Sequence, residues 1–197
     1  GVSRFARGEA VGAGLHLLDP ESGEYNVSAV AAAAGRSDAV LLEWAGRTQG
    51  LVVAAGNPLG LGSLADAVNA SARIALRQEA AGSRILLAHL MEREGLQKSD
   101  LSEAEETARS EMDVGLAIME GRADAGLAIE AVARSLKLEF VPLAEERYDL
   151  LLSRPDYFDP PLQTLMNFAR SPAFAERARR MGGYDVENLG RVRFNSS

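Results

Sequence analysis

Short apolar runs alternate with longer stretches of helical periodicity along the chain. Ala13–Leu18 has strand length and runs into the turn cluster Asp19-Pro20-Glu21-Ser22-Gly23. Ser28–Ala34 is Ala-rich and reads as a helix. Ala39–Trp44 and Gly50–Ala55 are two further apolar runs of strand length, and Gly56-Asn57-Pro58 with Gly60-Leu61-Gly62 predicts a loop after the second. Ser63 and Asp66 stand at capping-box spacing and open a short helix to about Ala70. Arg73–Gln78 predicts the next strand. Ala80-Ala81-Gly82-Ser83-Arg84 is a small-residue turn that opens a helix to about Glu94.

In that helix Leu86, Leu87, Leu90 and Met91 share one face, and Gly95 is placed to end it. Ser102-Glu103-Ala104-Glu105 has capping-box form. From it Ala104, Ala108, Met112, Leu116 and Met119 make the apolar stripe of a long helix closed by Gly121. Ala125–Ile129 and Leu138–Leu143 predict strands, with a helix over Glu130–Ser135 between them, and Tyr148–Leu152 is a final apolar run. Pro160–Ala169 and Pro172–Met181 predict helices with Pro in the first turn, where a missing N–H costs little. Gly182-Gly183-Tyr184-Asp185 breaks that pattern, and the polar tail through Ser197 reads as frayed. Strand alternating with helix means an α/β fold with a largely parallel sheet.

Composition narrows the function classes. The chain has 197 residues with 21 Lys+Arg against 28 Asp+Glu, a formal charge of −7. An acidic balance argues against broad nucleic-acid binding, because phosphate contacts need surplus cations. With no Cys there is no disulfide framework, thiolate metal site or cysteine nucleophile. No apolar stretch approaches the roughly 18 residues of a membrane span. Gly1–Glu9 has no basic region followed by an apolar run, so no signal peptide is expected.

Gly82-Ser83-Arg84 is the most chemical local feature. Backbone N–H groups at the helix start are unpaired and the dipole favours an anion there. Ser83 adds a hydroxyl, and Arg77 or Arg84 adds charge. An ordinary N-cap in a βα turn has the same spacing. His16 lies in an apolar run with Gly14 and Leu18 on its face. A His at the C-terminal end of a strand in an open sheet lies where ligands bind, and a half-buried His bonded to a carbonyl fits the same pattern. Glu103, Glu105, Glu106 and Glu111 read as a solvated acidic face. Glu111 falls beside the apolar stripe, where it pairs with Arg77, Arg84 or Arg109, or else marks a site for a less charged ligand. His16 and His89 stand far apart, so no metal spacing exists, and nothing supplies a nucleophile beside a base. No catalytic residue is assigned.

Several strings together resemble one family. Gly14-Leu15-His16-Leu17-Leu18-Asp19 with Ser22-Gly23-Glu24-Tyr25-Asn26 is the most specific, followed by Trp44-Ala45-Gly46-Arg47-Thr48-Gln49-Gly50-Leu51 with Gly56-Asn57-Pro58. Arg77-Gln78 with Gly82-Ser83-Arg84, Gly121–Leu127, Glu145–Leu150 and Gly182–Asp185 complete the set. In this order they resemble the periplasmic-binding-protein-like ligand domain related to molybdate-binding proteins. That domain often follows a DNA-binding helix-turn-helix region in bacterial regulators, and is sometimes attached to molybdopterin-biosynthesis proteins.

The resemblance implies a two-lobed type II periplasmic-binding fold with an interlobe cleft. Lobe I would comprise residues 1–54 and 150–197, and lobe II residues 55–149. His16, Arg77, Gln78, Gly82, Ser83, Arg84 and Tyr148 would bind the ligand. The implied ligand is a small oxyanion, molybdate or tungstate, with no metal site in the protein and no cofactor. The alternative is a small organic ligand, a molybdenum-cofactor precursor. DNA would be reached only through a separate upstream domain, no membrane is involved, and a homodimer is a further expectation. The expected location is cytoplasmic, with periplasmic as the alternative. The sequence departs from the family in two places. The usual opening strand–helix–strand unit, whose first turn would add ligand contacts, is absent before Gly1. Ser110-Glu111 stands where relatives often carry Thr-His.

Overall fold

The structure is a computed structural model that describes residues 1–33 and 38–196. Ala34, the expected end of the first predicted helix, and the tail residue Ser197 lie outside the described residues. The chain divides into two units. The first comprises Gly1–Arg47, Glu146–Arg180 and Tyr184–Ser197, and the second Thr48–Glu145 with Met181–Gly183.

The first unit opens with a short helix, α1 (Val2–Ala6), then strand β1 (Gly12–Leu15) and helix α2 (Val27–Ala33). Strand β2 (Ala39–Val53) follows, with 15 residues in one piece where the apolar pattern reads as two strands. Its first half shows why it is covered on both faces. Ala39 and Leu41 pack with Phe5, Leu15, Val30 and Leu151, while Val40 and Leu42 pack with Leu152 and Met166. Alternation along a strand sends neighbours to opposite sides, so two clusters need two apolar sets.

β2 carries the chain into the second unit, where α3 (Leu64–Asn69) starts at the predicted cap: Ser63 Oγ accepts from Asp66 N at 3.0 Å. Strand β3 (Arg73–Ala75), helix α4 (Gly82–Arg93) and a two-residue strand β4 (Ser102–Glu103) come next. Then follow α5 (Glu111–Met119), β5 (Ala125–Ile129) and α6 (Glu130–Leu136). The core here gathers Val52, Ala75, Val114, Ala117, Ile118, Ala128 and Val132. Gly115 lets α5 lie against α6, since a Cβ there would sit 2.6 Å from Leu136 Cδ1.

The long helix expected from Ser102 does not form. Ser102 and Glu103 pair in parallel with Arg73 and Ile74, and the helix begins only at Glu111, behind its own capping box at Ser110. Ser110 Oγ accepts from Asp113 N at 3.1 Å and Asp113 Oδ2 accepts from Ser110 N at 2.9 Å. Two capping boxes compete in the sequence, and strand pairing takes the first.

Strand β6 (Glu139–Ser153) returns the chain to the first unit, again as one strand of 15 residues where Leu138–Leu143 and Tyr148–Leu152 read as two. Helices α7 (Arg154–Tyr157), α8 (Pro160–Ala169) and α9 (Pro172–Met181) follow. Two short strands, β7 (Tyr184–Asp185) and β8 (Val192–Asn195), pair with β2, so residues up to Asn195 belong to the sheet where a frayed tail is expected. The strand order is β1-β6-β2-β5-β3-β4. The sheet is mixed. β1 with β6 and β2 with β5, β7 and β8 are antiparallel, while β3 pairs in parallel with β4 and β5. The largely parallel sheet expected from alternation is thereby corrected, because the long returning strands run against their neighbours.

Candidate functional site

In the second unit the chain leaves β3 and turns before α4. Ala81 N donates to Gln78 O at 2.9 Å, closing a small-residue turn, and α4 starts at Gly82 without a side-chain cap. The N–H groups of Gly82 and Ser83 donate to nothing among the described residues. Ser83 is 2% exposed and its Oγ has no hydrogen-bond partner. Arg77 arrives from the same segment, held by a parallel bridge to Ala108 and by its Nη2 donating to Arg109 O at 3.1 Å. Its Nε is buried and unpartnered. A buried hydroxyl and a buried guanidinium N–H without acceptors are costly, because each has lost water and gained nothing. Gln78 is exposed beside them.

The start of α5 is the opposite case. Asp113 accepts from Arg109 N at 3.0 Å and from the Ser110 backbone, so a carboxylate of the chain already occupies that helix end. The Ser110 hydrogen bond, together with the nearby Arg77 charge, holds the Asp113 carboxyl below its usual range. Of the two alternatives for Glu111, pairing with Arg77, Arg84 or Arg109 does not form among the described residues. Its oxygens accept from Gln49 Nε2 at 3.2 Å and Ile129 N at 3.4 Å. The expected geometry fails because Glu111 is the first residue of α5 and sits beside β2 and β5.

In the first unit His16 follows β1 and stacks on Tyr148 of β6, with ring centroids 5.9 Å apart and planes at 19°. Gly14 makes this possible, since a Cβ there would overlap the Tyr148 hydroxyl. His16 Nδ1 lies 3.2 Å from Glu146 Oε2, so the His is half-buried and bonded to a carboxylate rather than a carbonyl. Arg47 Nε donates to Glu146 Oε1 at 2.7 Å, and the Arg47 guanidinium carbon stands 4.6 Å from the Tyr148 ring centre. Burial pushes the Glu146 carboxyl up, but the His16 hydrogen bond and the Arg47 charge outweigh it and leave the pKa below the ordinary range.

His16 and Tyr148 therefore belong to one group in the first unit. Arg77, Gln78, Gly82 and Ser83 lie along one stretch of the second unit, from the end of β3 to the start of α4. Arg84, next to Ser83, lines a cavity along α4. Arg47 and Glu146 escape sequence reasoning because they are 99 positions apart and each reads as an ordinary surface charge. The only local signal is that both sit in the strings that carry the family resemblance. Among the described residues no His, Cys, Asp and Glu group is arranged to hold a metal ion, and no helix is long and apolar enough to cross a membrane.

A mixed α/β chain whose long strands β2 and β6 each run through two compact units matches a known class. The PBP superfamily domain is matched over residues 1–170, and the chain belongs to that family, with its two-lobed type II fold. It is 26% identical over 178 residues to the uncharacterized protein YvgK of Bacillus subtilis, which covers 90% of this chain and 57% of YvgK. The chain thus spans little more than half the length of that relative. Among solved structures it is similar to the tungstate ABC transporter from Geobacter sulfurreducens, with a TM-score of 0.61 at 14% identity, covering 89% of this chain and 78% of that one. It is also similar to the CcmR regulatory domain of Synechocystis in complex with 2-PG, with a TM-score of 0.61 at 13% identity, covering 84% and 74%.

Proposed function

We propose that this chain is a ligand-binding sensor domain for a small tetrahedral oxyanion, molybdate or tungstate, in a cytoplasmic bacterial transcriptional regulator that reaches DNA through a separate domain. The observation that carries the reading is the set of donors without acceptors at the start of α4. Ser83 Oγ and Arg77 Nε are buried and unpartnered, and the Gly82 and Ser83 N–H groups are open. A tetrahedral dianion presents four oxygens and accepts from hydroxyl, backbone and guanidinium donors without any metal ligand from the protein. Gln78, exposed next to Arg77 in the chain, has an amide to offer. The named functions of the Geobacter and Synechocystis neighbours support a small anionic ligand, and the CcmR regulatory domain supports the regulator setting. No residue is assigned a catalytic role.

A thermal-shift panel of molybdate, tungstate, sulfate and phosphate on the purified chain tests the reading. A ligand at about 100 times its dissociation constant stabilises by about 2.7 kcal/mol. Molybdate and tungstate should raise the melting temperature well above sulfate and phosphate. A shift with a neutral pterin and none with any oxyanion would replace the reading with an organic ligand.

A further inference from the structure

We infer that the second unit carries a separate pocket for a small monocarboxylate with an apolar body. One face of α4, at the spacing Arg84, Leu87, Ala88 and Met91, borders a cavity of about 310 Å³ together with the segment from Leu96 to Leu101. That volume lies at the small end of ligand pockets. Leu87 and Met91 are 3% and 4% exposed, so an apolar floor is in place before any ligand arrives.

Arg84 sets the chemistry. Among the described residues its guanidinium makes no hydrogen bond, and its one ion contact is Glu103 Oε1 at 3.9 Å from Nη2. Nη1 is sealed from solvent without an acceptor. The side chain is 16% exposed, so a cation with five donors stands largely desolvated and nearly unmatched. A carboxylate supplies the two parallel acceptors that a guanidinium fork fits. The body of the ligand is apolar, because Leu87, Ala88, Met91, Leu96 and Leu101 make up most of the wall, with Gln97 and Lys98 as its polar part beside Arg84 and Glu92. Glu92 and Lys98 also border the cavity and oppose each other in charge, so the Arg84 guanidinium sets the net attraction, which one carboxylate matches. A bare tetrahedral oxyanion would leave these apolar walls wet.

The pocket is distinct from the donors at the start of α4. Ser83 does not line it, and adjacent residues on a helix point about 100° apart. The inference therefore stands or falls independently of oxyanion binding.

The test is calorimetric titration of the whole chain with 3-phenylpropionate, and with 3-phenylpropionamide as the neutral control. The acid should bind saturably and the amide at least tenfold more weakly. Arg84→Gln should weaken the acid about thirtyfold, the order expected for removing one partner of a buried charge pair. Ala88→Trp, at an exposed position on the cavity wall, should block binding while the protein stays folded. Ser83→Ala should leave the acid's affinity unchanged. The inference is overturned if the acid does not bind saturably, if acid and amide bind alike, if Ala88→Trp has no effect, or if Ser83→Ala abolishes binding as Arg84→Gln does.

Discussion

Glu146 is 2% exposed, and the His16 ring and the Arg47 guanidinium reach it there. Desolvation alone would hold its proton on. The His16 ring and the Arg47 guanidinium reverse that and keep the carboxyl below its ordinary range. A lowered folded-state value means that Glu146 stabilises the fold above the usual glutamate range, and that this contribution is lost as the pH falls through the lowered value. Asp149 pulls the other way. Burial raises it against the Asn26 and Arg147 contacts, with Glu43 adding to the rise, so its protonation favours the fold as the pH falls through that raised value. Urea unfolding of Glu146→Gln from neutral into acid pH should show two changes. Stability at neutral pH drops by about 3 kcal/mol, as for a buried pair broken on one side, and the acid-side loss becomes shallower. An unchanged acid slope would remove Glu146 as its source. The Arg47–Glu146–His16 group was not legible in the sequence, because its energetics exist only once β1, β2 and β6 bring distant charges together. His16 itself was legible as a half-buried His, though its partner was not.

At the scale of elements, local chemistry was legible where one signal acted alone. Ser63 caps α3 with Asp66 as the spacing predicts, and α8 and α9 begin at their prolines. It failed where two signals competed or where pairing crossed a polar stretch. Glu43, Arg47 and Gln49 interrupt the apolar pattern of β2, yet Glu43 and Gln49 are buried because their partners lie elsewhere in the fold. The same strand therefore reads as two. For α5, Ser110→Ala should cost about 1 kcal/mol by chemical denaturation, the usual value for a lost N-cap. Ser102→Ala should stay within about 0.5 kcal/mol, because Ser102 lies in a strand. The reverse order would restore the longer helix. Gly50→Ala probes the long strands directly. A Cβ at Gly50 would overlap the backbone of Val141 and lie 2.7 Å from the Phe140 ring. The substitution should destabilise by about 1–3 kcal/mol, the range for overpacking against backbone, and equal stability would mean that β2 and β6 separate more easily there than the structure indicates.

For the whole molecule, two compact units each hold a core and a group of polar side chains, and β2 and β6 each run through both. Among the described residues, the buried side-chain donors without acceptors lie in the second unit. α5 meets its own helix end with Asp113, while at the start of α4 Ser83 Oγ, Arg77 Nε and two backbone N–H groups stand without acceptors. A domain that binds an anion at α4 needs that difference, and a domain that does not has no use for its cost. Isothermal titration calorimetry with molybdate, comparing the native chain with Ser83→Ala, tests this most directly. The account predicts saturable one-to-one binding by the native chain and a loss of at least about tenfold in Ser83→Ala, the scale of one hydrogen bond to a charged group. No heat from either molybdate or tungstate, or equal affinity in the two proteins, would contradict it.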